Sequence, residues 1–254
     1  MKVTRIVFSP TGGTGQIAQA LTSKWDVPAD EIDLTDAKED FSAFAFAGDD
    51  VVLIAVPSYG GRVPALAAER IKQIRGGQAR CIIVCAYGNR AYEDTLLELN
   101  DMAEQSGFRV IAAVGAVAEH SIMRQYAAGR PDQQDIGELQ NFAEKIFEKL
   151  SKADDTEALQ IPGNRPYKET RGVGLVPKAD ACCTGCGLCA ERCPAQAISR
   201  ENLRTTDSRK CISCMRCVAQ CPQSARKVNG AMVSAAALAL KKACSGRKSN
   251  ELYI

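Results

Sequence analysis

The sequence VTRIVFSPTGGTGQIAQALTSK at residues 3–24 joins an apolar run, a loop of small residues and an amphipathic segment. Residues 3–8 are rich in Val, Ile and Phe, as a strand buried on both faces requires. Residues 15–24 have apolar positions at helical spacing. Strand, glycine-rich loop and helix in this order predict the first unit of an α/β sheet.

The same alternation continues to about residue 150. Further buried strands are predicted at residues 51–56, 81–86 and 110–117, with a weaker one at 31–34, and helices at 64–74, 92–106 and 132–150. This pattern predicts a five-stranded, doubly wound parallel sheet in a domain of residues 1–150. Cys81 and Cys85 lie on one face of one of these strands, where core packing is the expected role.

The composition changes twice after residue 150. Residues 151–176 are polar with scattered Pro and Gly, which indicates a linker that wraps over a neighbouring unit. Residues 177–228 hold nine of the 12 cysteines and form a second, smaller domain. Residues 229–254 combine an Ala-rich segment, expected to dock as a helix, with a basic tail. That tail is either solvated or steers an acidic partner.

Charge and hydropathy exclude several classes of protein. The formal net charge is +2, without a basic block before the tail, so we expect no nucleic-acid binding. The longest apolar runs are shorter than the roughly 20 residues of a membrane span. The first apolar run is broken by Ser9 and Pro10, which argues against a signal peptide. We therefore expect a cytoplasmic protein, in which clustered cysteines bind metal more often than they form disulfides.

The pattern C-x2-C-x2-C-x3-C-P occurs twice, at residues 183–194 and 211–222, with every cysteine of one copy at the same offset from its counterpart. This constant offset indicates an internal duplication. In such a pattern the first three thiolates bind one cubane, and the fourth reaches the cubane of the other copy. One [4Fe–4S] cluster is thus assigned to Cys183, Cys186, Cys189 and Cys221, and the second to Cys211, Cys214, Cys217 and Cys193. A pair of zinc sites is the alternative, although zinc leaves the third and fourth cysteines of each copy unexplained.

Residues 177–228 resemble the bacterial two-[4Fe–4S] ferredoxin family in the stretches CTGCGLCAERCPAQAI and DSRKCISCMRCVAQCP. The resemblance implies a small α+β ferredoxin-like fold. Arg226 departs from the repeat, because the first copy has the apolar Ile198 at that position. Cys182 does not fit the ligand spacing and is expected to be a free thiol. A register with Cys182 in place of Cys183 is the alternative.

The loop after the first strand is suited to a phosphate group. Glycines turn backbone N–H groups inward, hydroxyls add donors, and the following helix N-terminus adds positive potential. The candidate residues are Ser9, Thr11, Gly12, Gly13 and Thr14. The G-x-G-x-x-A match from Gly13, with Asp33 at the expected distance beyond it, offers a dinucleotide site as the alternative. The separation between the strand and the first glycine favours a monophosphate.

Two further loops follow predicted strands and contain aromatic and glycine residues. At the carboxyl ends of parallel strands they can hold a planar ring, which favours flavin mononucleotide (FMN). The candidates are Pro57, Ser58, Tyr59, Gly60 and Gly61 in one loop and Tyr87, Gly88, Asn89 and Tyr92 in the other. His120 follows the last predicted strand, as a structural residue or as a proton donor at the flavin edge.

The first 150 residues resemble the flavodoxin family, whose phosphate loop S/T-x-T-G-x-T is matched by Ser9, Thr11, Gly12 and Thr14. With VPSYGGRVP, AYGNRAYED and GRPD, the whole chain is similar to bacterial flavodoxin–ferredoxin fusion proteins. The resemblance implies FMN contacted by Tyr59 and Tyr87. Neither ring loop has the tryptophan of long flavodoxins, since Trp25 lies at the end of the first helix.

Together these features predict an electron carrier that relays electrons between two [4Fe–4S] clusters, FMN and other redox proteins. One alternative is an FMN-dependent reductase of a quinone, flavin or nitro compound, fed by the clusters. Another is a non-redox protein with structural or sensory clusters and an empty flavodoxin-like domain. No second nucleotide-binding motif is present, so exchange with another redox protein is favoured over direct NAD(P)H oxidation.

Overall fold

The computed structural model describes residues 2–151, 159–170 and 174–254. The first unit contains the elements β1 (Val3–Val7), α1 (Gly13–Thr22), β2 (Ala29–Asp33), β3 (Val51–Pro57), α2 (Ala65–Ile71), β4 (Arg80–Tyr87), α3 (Thr95–Gln105), β5 (Arg109–Val117) and α4 (Gln133–Ser151). The second half contains β6 (Lys178–Ala179), α5 (Leu188–Glu191), α6 (Arg216–Ala219), β7 (Arg226–Lys227), α7 (Gly230–Leu240) and β8 (Glu251–Tyr253).

The first five strands are parallel and lie in the order β2-β1-β3-β4-β5. This is the strand order of flavodoxin-like doubly wound sheets. The predicted doubly wound parallel sheet is confirmed, including the weak strand β2. Strand β2 lies at the sheet edge with Ile32 as its buried residue, which explains why its apolar signal is weak.

Helices cover both faces of the sheet and bury its two central strands. Residues 51–56 of β3 are fully buried, and only the first residue of β4 is partly exposed. Side chains of α2 and α3 pack on one face, whereas α1 and α4 pack on the other. Cys81 and Cys85 are buried within β4, as expected of core residues, and burial raises the pKa of both thiols.

The sheet has a sixth strand in addition to the five that the sequence predicts. Strand β8 pairs antiparallel with β5. Asn250, just before β8, accepts a hydrogen bond from the Val117 amide at 2.9 Å. The short segment at the end of a basic tail carries no strand periodicity, so local sequence does not identify this pairing.

The predicted linker packs along α3 where the structure describes it. Asp94, just before α3, accepts hydrogen bonds from the amides of Asn164 and Lys168 at 2.8 and 2.6 Å. Asp101 pairs with Arg165 at 2.5 Å. Residues 159–170 therefore lie against the first unit and lead the chain toward the cysteine-rich segment.

The cysteine-rich unit shows the duplication in its backbone. Helices α5 and α6 begin at equivalent positions of the two copies, and β6 pairs antiparallel with β7. Gly185 and Ser213, which are also equivalent in the repeat, both adopt positive φ angles, of 76° and 53°. The two copies therefore share one local fold around their cysteine loops.

Helix α7 docks on the first unit through a small contact. Ala237 is its buried residue, and the Tyr126 hydroxyl donates a hydrogen bond to the Ala237 carbonyl at 2.5 Å. Leu238 on the same helix is 73% exposed. Within residues 2–151, 159–170 and 174–254, none of the helices has the length and hydropathy of a membrane span.

Candidate functional site

The loop between β1 and α1 presents free amides at a helix start. Gly12 precedes α1 with a φ of 101°, a conformation that strongly favours glycine. The amide of Gly15 donates to Ser9 Oγ at 2.9 Å, and that of Gln16 to the Gly12 carbonyl at 3.0 Å. Within the described residues the amides of Gly13 and Thr14 have no protein acceptor, so this end of α1 fits a phosphate group.

Four loops enclose a cleft beside these amides. The phosphate-loop cleft, of about 490 Å³, lies at the carboxyl ends of β1, β3, β4 and β5. Its lining includes residues that the sequence analysis singled out, namely Thr11, Gly13, Thr14, Pro57, Ser58, Tyr59, Tyr87, Gly88 and His120. The structure adds residues that the sequence does not mark as cofactor contacts, namely Pro10, Ala86, Ala118, Glu119 and Ser121.

The two candidate ring tyrosines differ in exposure. Tyr87 is buried and packs edge-on against Tyr92, with ring centroids 5.1 Å apart. Tyr59 is half-buried in a tight turn, in which its carbonyl accepts from the Arg62 amide at 3.3 Å. Burial raises the pKa of Tyr59 well above its usual value, and the nearby Cys214 adds to that effect. Tyr59 is thus the more accessible of the two in the cleft.

An ion pair holds the Tyr59 turn in place. Arg62 donates two hydrogen bonds to Glu98 of α3, both at 2.7 Å, and Glu98 also accepts from the Val63 amide at 2.9 Å. Ser58 and Thr95 are joined through their hydroxyls at 2.8 Å. Glu98 and Arg62 are distant in sequence, so only the tertiary fold reveals that α3 positions this loop.

Two predicted cofactor residues lie behind the cleft. The Asn89 amide donates to the carbonyls of Cys244 and Gly246 at 2.7 and 2.8 Å. The Tyr92 hydroxyl bonds to Glu251 and, at 2.8 Å, to the Tyr253 hydroxyl. Both side chains anchor the C-terminal tail instead of lining the phosphate-loop cleft.

Four other predicted residues lie on adjoining surfaces. Ser9 and Gly12 border a separate cleft between the phosphate loop and Arg216. Gly60 lines the next cleft toward the cysteine-rich unit. The neighbouring Gly61 lines that cleft too. It has a φ of 87°, and an added Cβ would lie 2.9 Å from Glu93 Cβ, so this position favours glycine.

His120 presents a fixed tautomer to the cleft. Its Nδ1 accepts hydrogen bonds from the amides of Ile122 and Met123 at 3.2 and 3.3 Å. Burial lowers the pKa of His120, which favours the neutral ring. With Nδ1 acting as an acceptor, the proton is assigned to Nε2.

The cysteine-rich unit contains two cavities of equal size, each about 340 Å³. The first cysteine cavity is lined by Cys183, Cys186, Cys189 and Cys221. The second cysteine cavity is lined by Cys193, Cys211, Cys214 and Cys217. The fold therefore brings together the same two sets of four that the spacing predicts. Cys182 is exposed and lines neither cavity.

The sulfur environments repeat as well. The amide of Ala197 lies 3.3 Å from Cys193 Sγ, and the amide of Ala225 lies 3.3 Å from Cys221 Sγ. Within the residues that the structure describes, no three His, Cys, Asp or Glu side chains converge as one metal ion would require. A cubane has a different requirement, because each thiolate binds a separate iron.

The two loops with the candidate ring tyrosines and the cysteine-rich unit meet directly. The junction cleft, of about 730 Å³, is lined by Tyr59, Tyr87 and His120 on one side and by Ile212, Ser213 and Leu240 on the other. Ile212 and Ser213 lie between two cysteines of the second cavity. The Arg216 side chain, also in that unit, contacts Thr35 Oγ1 at 2.5 Å. The second cavity is thus the one next to the ring loops.

Comparison with known proteins gives different matches for the two halves of the chain. Residues 182–226 match a family described as a 4Fe-4S dicluster domain. A flavodoxin from the domain Archaea is 15% identical, with a TM-score of 0.41 over 60% of this chain and 100% of that chain. Megasphaera elsdenii flavodoxin is 16% identical, with a TM-score of 0.36 over 56% and 98%. An azoreductase from Bacillus anthracis str. Sterne is 12% identical, with a TM-score of 0.39 over 59% and 100%.

A search of the curated proteins finds no match. Because these structural similarities are distant, we assign the sheet to the flavodoxin-like class from its strand order alone. The chain thus joins an α/β unit with the flavodoxin-like strand order to a cysteine-rich unit whose residues 182–226 match the 4Fe-4S dicluster family.

Proposed function

We propose that this protein relays electrons between FMN in the phosphate-loop cleft and two [4Fe–4S] clusters in the cysteine cavities, in exchange with other redox proteins. The observation that carries the proposal is the junction cleft, where Tyr59 and Tyr87 face residues flanking Cys211 and Cys214. FMN in the phosphate-loop cleft would supply one- or two-electron chemistry, and each cluster would supply one-electron chemistry.

The residues at the cleft supply binding and orientation. The free amides of Gly13 and Thr14 would hold the phosphate, with Thr11 beside them. Tyr59, in a turn held by Arg62 and Glu98, would contact the ring. His120 contributes a neutral N–H donor at the same cleft. The cysteines and their backbone amides would hold the clusters and tune them.

The spatial order of the sites indicates which cluster would exchange electrons with the flavin and which with a partner protein. The second cysteine cavity adjoins the ring loops, so its cluster would exchange electrons with the flavin. The first cavity lies farther from the ring loops and includes the exposed Cys186. That side of the molecule would meet the one-electron partner.

Anaerobic cofactor analysis and rapid kinetics test the proposal. We expect about eight iron and eight sulfide per chain by the two-cubane count, together with acid-releasable FMN. After mixing with a substoichiometric one-electron donor, electrons should redistribute between clusters and flavin at a first-order rate that is independent of protein concentration. Zinc without sulfide, no flavin after gentle purification, or a rate proportional to concentration would each refute the relay.

Direct reduction of a small acceptor is a second candidate function. The junction cleft extends past the ring loops to Ile122, Met123 and Leu240, which leaves an apolar space beside the flavin position. In this case Leu240→Trp should slow turnover of a small quinone while leaving the intramolecular rate unchanged. Leu238→Trp, on the exposed face of the same helix, is the matched control.

A further inference from the structure

Arg226 places a positive charge inside the cysteine-rich unit. Its side chain is only 2% exposed and is among the largest fully buried side chains of the described residues. It occupies the position that Ile198 occupies in the first copy of the repeat. The two halves of the unit therefore differ at this point by a full charge.

The contacts of Arg226 do not neutralise it. Its Nη1 donates to the Leu203 carbonyl at 2.6 Å, and its Nη2 donates to the Pro177 carbonyl at 3.3 Å and to Thr206 Oγ1. Its Nη1 also lies 3.9 Å from Cys189 Sγ. The Nε atom is buried without a partner among the described residues. None of these acceptors is a carboxylate.

A buried charge without a counter-ion is costly, so an anionic neighbour is expected beside it. Arg226 lines the first cysteine cavity together with its four cysteines. A cubane held by four thiolates is anionic, and reduction adds one more negative charge. A cluster in the first cavity would supply the missing counter-ion.

The second cysteine cavity has a different balance of charge. Ile198 takes the place of Arg226 there, and the arginine that lines this cavity is Arg216. Arg216 lies 3.7 Å from Asp33, so its charge is partly compensated. The charge of Arg226 also acts on Cys211 and Cys217, but its sulfur contact is to Cys189.

We propose that Arg226 is the counter-ion of the cluster in the first cysteine cavity and raises its reduction potential above that of the other cluster. This inference rests on the proposed function. One electron from a one-electron donor is added to the cluster, no bond forms or breaks, and no proton is needed because Arg226 keeps its charge. The electron would thus reside on the cluster farther from the junction cleft.

Redox titration of position 226 variants tests the inference. Arg226→Gln and Arg226→Ile remove the charge, the latter copying Ile198, whereas Arg226→Lys keeps it. Arg209→Ile removes a charge from the exposed surface of the same unit as the matched control. Midpoint potentials come from anaerobic titration with paramagnetic resonance detection. Shifts of the Cys189 and Cys217 β-proton resonances assign each step to a cavity.

We expect Arg226→Gln and Arg226→Ile to lower the higher potential. At a fixed ambient potential the ratio of reduced to oxidised cluster should fall roughly tenfold, which is about 59 mV for a one-electron couple. The midpoint potential of the step assigned to the second cavity should shift less. Arg226→Lys should retain most of the wild-type potential, and Arg209→Ile all of it.

The outcomes distinguish a failure of this inference from a failure of the proposed function. Full iron and sulfide with both potentials unchanged in Arg226→Gln would overturn the inference and leave the proposed function standing. Absence of clusters from the wild type would instead refute the proposed function. If Arg226→Gln and Arg226→Ile lose half of the iron while Arg226→Lys retains it, the counter-ion role is supported. Loss in Arg226→Lys as well would overturn it.

Discussion

The α/β unit and the cysteine-rich unit differ in what stabilises each of them. In β3 and β4 nearly every side chain is buried between two helical layers. Between residues 177 and 228 most side chains are exposed or half-buried, and the regular elements are very short. We therefore expect the cysteine-rich unit, with so little apolar burial, to depend on bound clusters for its stability. The α/β unit, in contrast, has its own hydrophobic core on both faces of the sheet.

Removing the clusters should therefore destabilise the cysteine-rich unit but not the α/β unit, and this is the largest effect we expect. After anaerobic oxidation with a chelator, amides of residues 177–228 should lose hydrogen-exchange protection, because the thiolates no longer share a cofactor. Amides of β3 and β4 should remain protected. A sample kept with chelator but without oxidant is the control. Equal loss in both units would show that they unfold as one.

A core substitution in the α/β unit tests the same difference between the two units. Ile83→Ala should lower the free energy of unfolding of the α/β unit by about 2–5 kcal/mol, since Ile83 is fully buried in the central strand β4. Denaturant unfolding followed by Trp25 fluorescence measures it, because Trp25 packs in that unit. Iron content should not change. Leu238→Ala, at a 73% exposed position, should have little effect on either quantity.

The phosphate loop offers a smaller and more local test. Gly12 has a φ of 101° with open space around its Cα, so Gly12→Ala acts through backbone strain of about 1–2 kcal/mol. If that strain is relieved by moving the loop, FMN affinity should fall about tenfold. Flavin fluorescence titration measures the affinity.

Gly137→Ala is the control for the phosphate loop. Gly137 also has open space, but it lies inside α4 without a positive φ. This substitution should leave FMN affinity unchanged and stabilise the helix slightly. Equal FMN affinities in Gly12→Ala and the wild type would contradict the assignment of the loop.

The C-terminal tail, which packs on the α/β unit, should respond least. Arg247 donates to Asp132 at 2.6 and 2.9 Å and lies 3.0 Å from Asp135. Surface ion pairs contribute little, so Arg247→Ala should speed hydrogen exchange in β8 only a few-fold. Lys242→Ala, at an exposed residue of the same tail, is the control.

The pH dependence of the tail contact follows from its carboxylates. Hydrogen bonds from Arg247 hold the pKa of Asp132 below its ordinary value. Burial alone would raise the pKa of Asp135, but hydrogen bonds from Arg130 reverse this and lower it. A lowered pKa in the folded state means that the stabilisation is present above the unfolded value and is lost only in stronger acid. The effect of Arg247→Ala should therefore be equal at pH 7 and pH 5, and its disappearance at pH 5 would contradict the ion pair.

Local sequence predicted those parts of the protein that depend on short-range patterns. The apolar runs located β1, β3, β4 and β5 clearly, because a strand buried on both faces must be apolar throughout, whereas the edge strand β2 gave only a weak signal. The duplicated cysteine pattern predicted which four cysteines line each cavity, because the spacing reflects the geometry of a tight loop. The loop at residues 9–14 predicted the cleft, because glycines and hydroxyls before a helix leave amides free.

Only the tertiary structure decided the features that join distant residues. Asn89 and Tyr92 have the composition of a ring loop, yet their side chains bond to residues near the C-terminus, far along the chain. Glu98 holds the Tyr59 turn from another helix. Strand β8 pairs because the edge of β5 is open to it, a fact that the residues of β8 do not encode.

Arg226 shows the division between the two levels most directly. The sequence marked it as a departure from the repeat, with a charge where Ile198 stands in the first copy. The structure decided that this charge is buried beside Cys189 without a carboxylate partner among the described residues. Periodicity and spacing are local properties of the chain, whereas burial and charge compensation depend on which distant segments pack together.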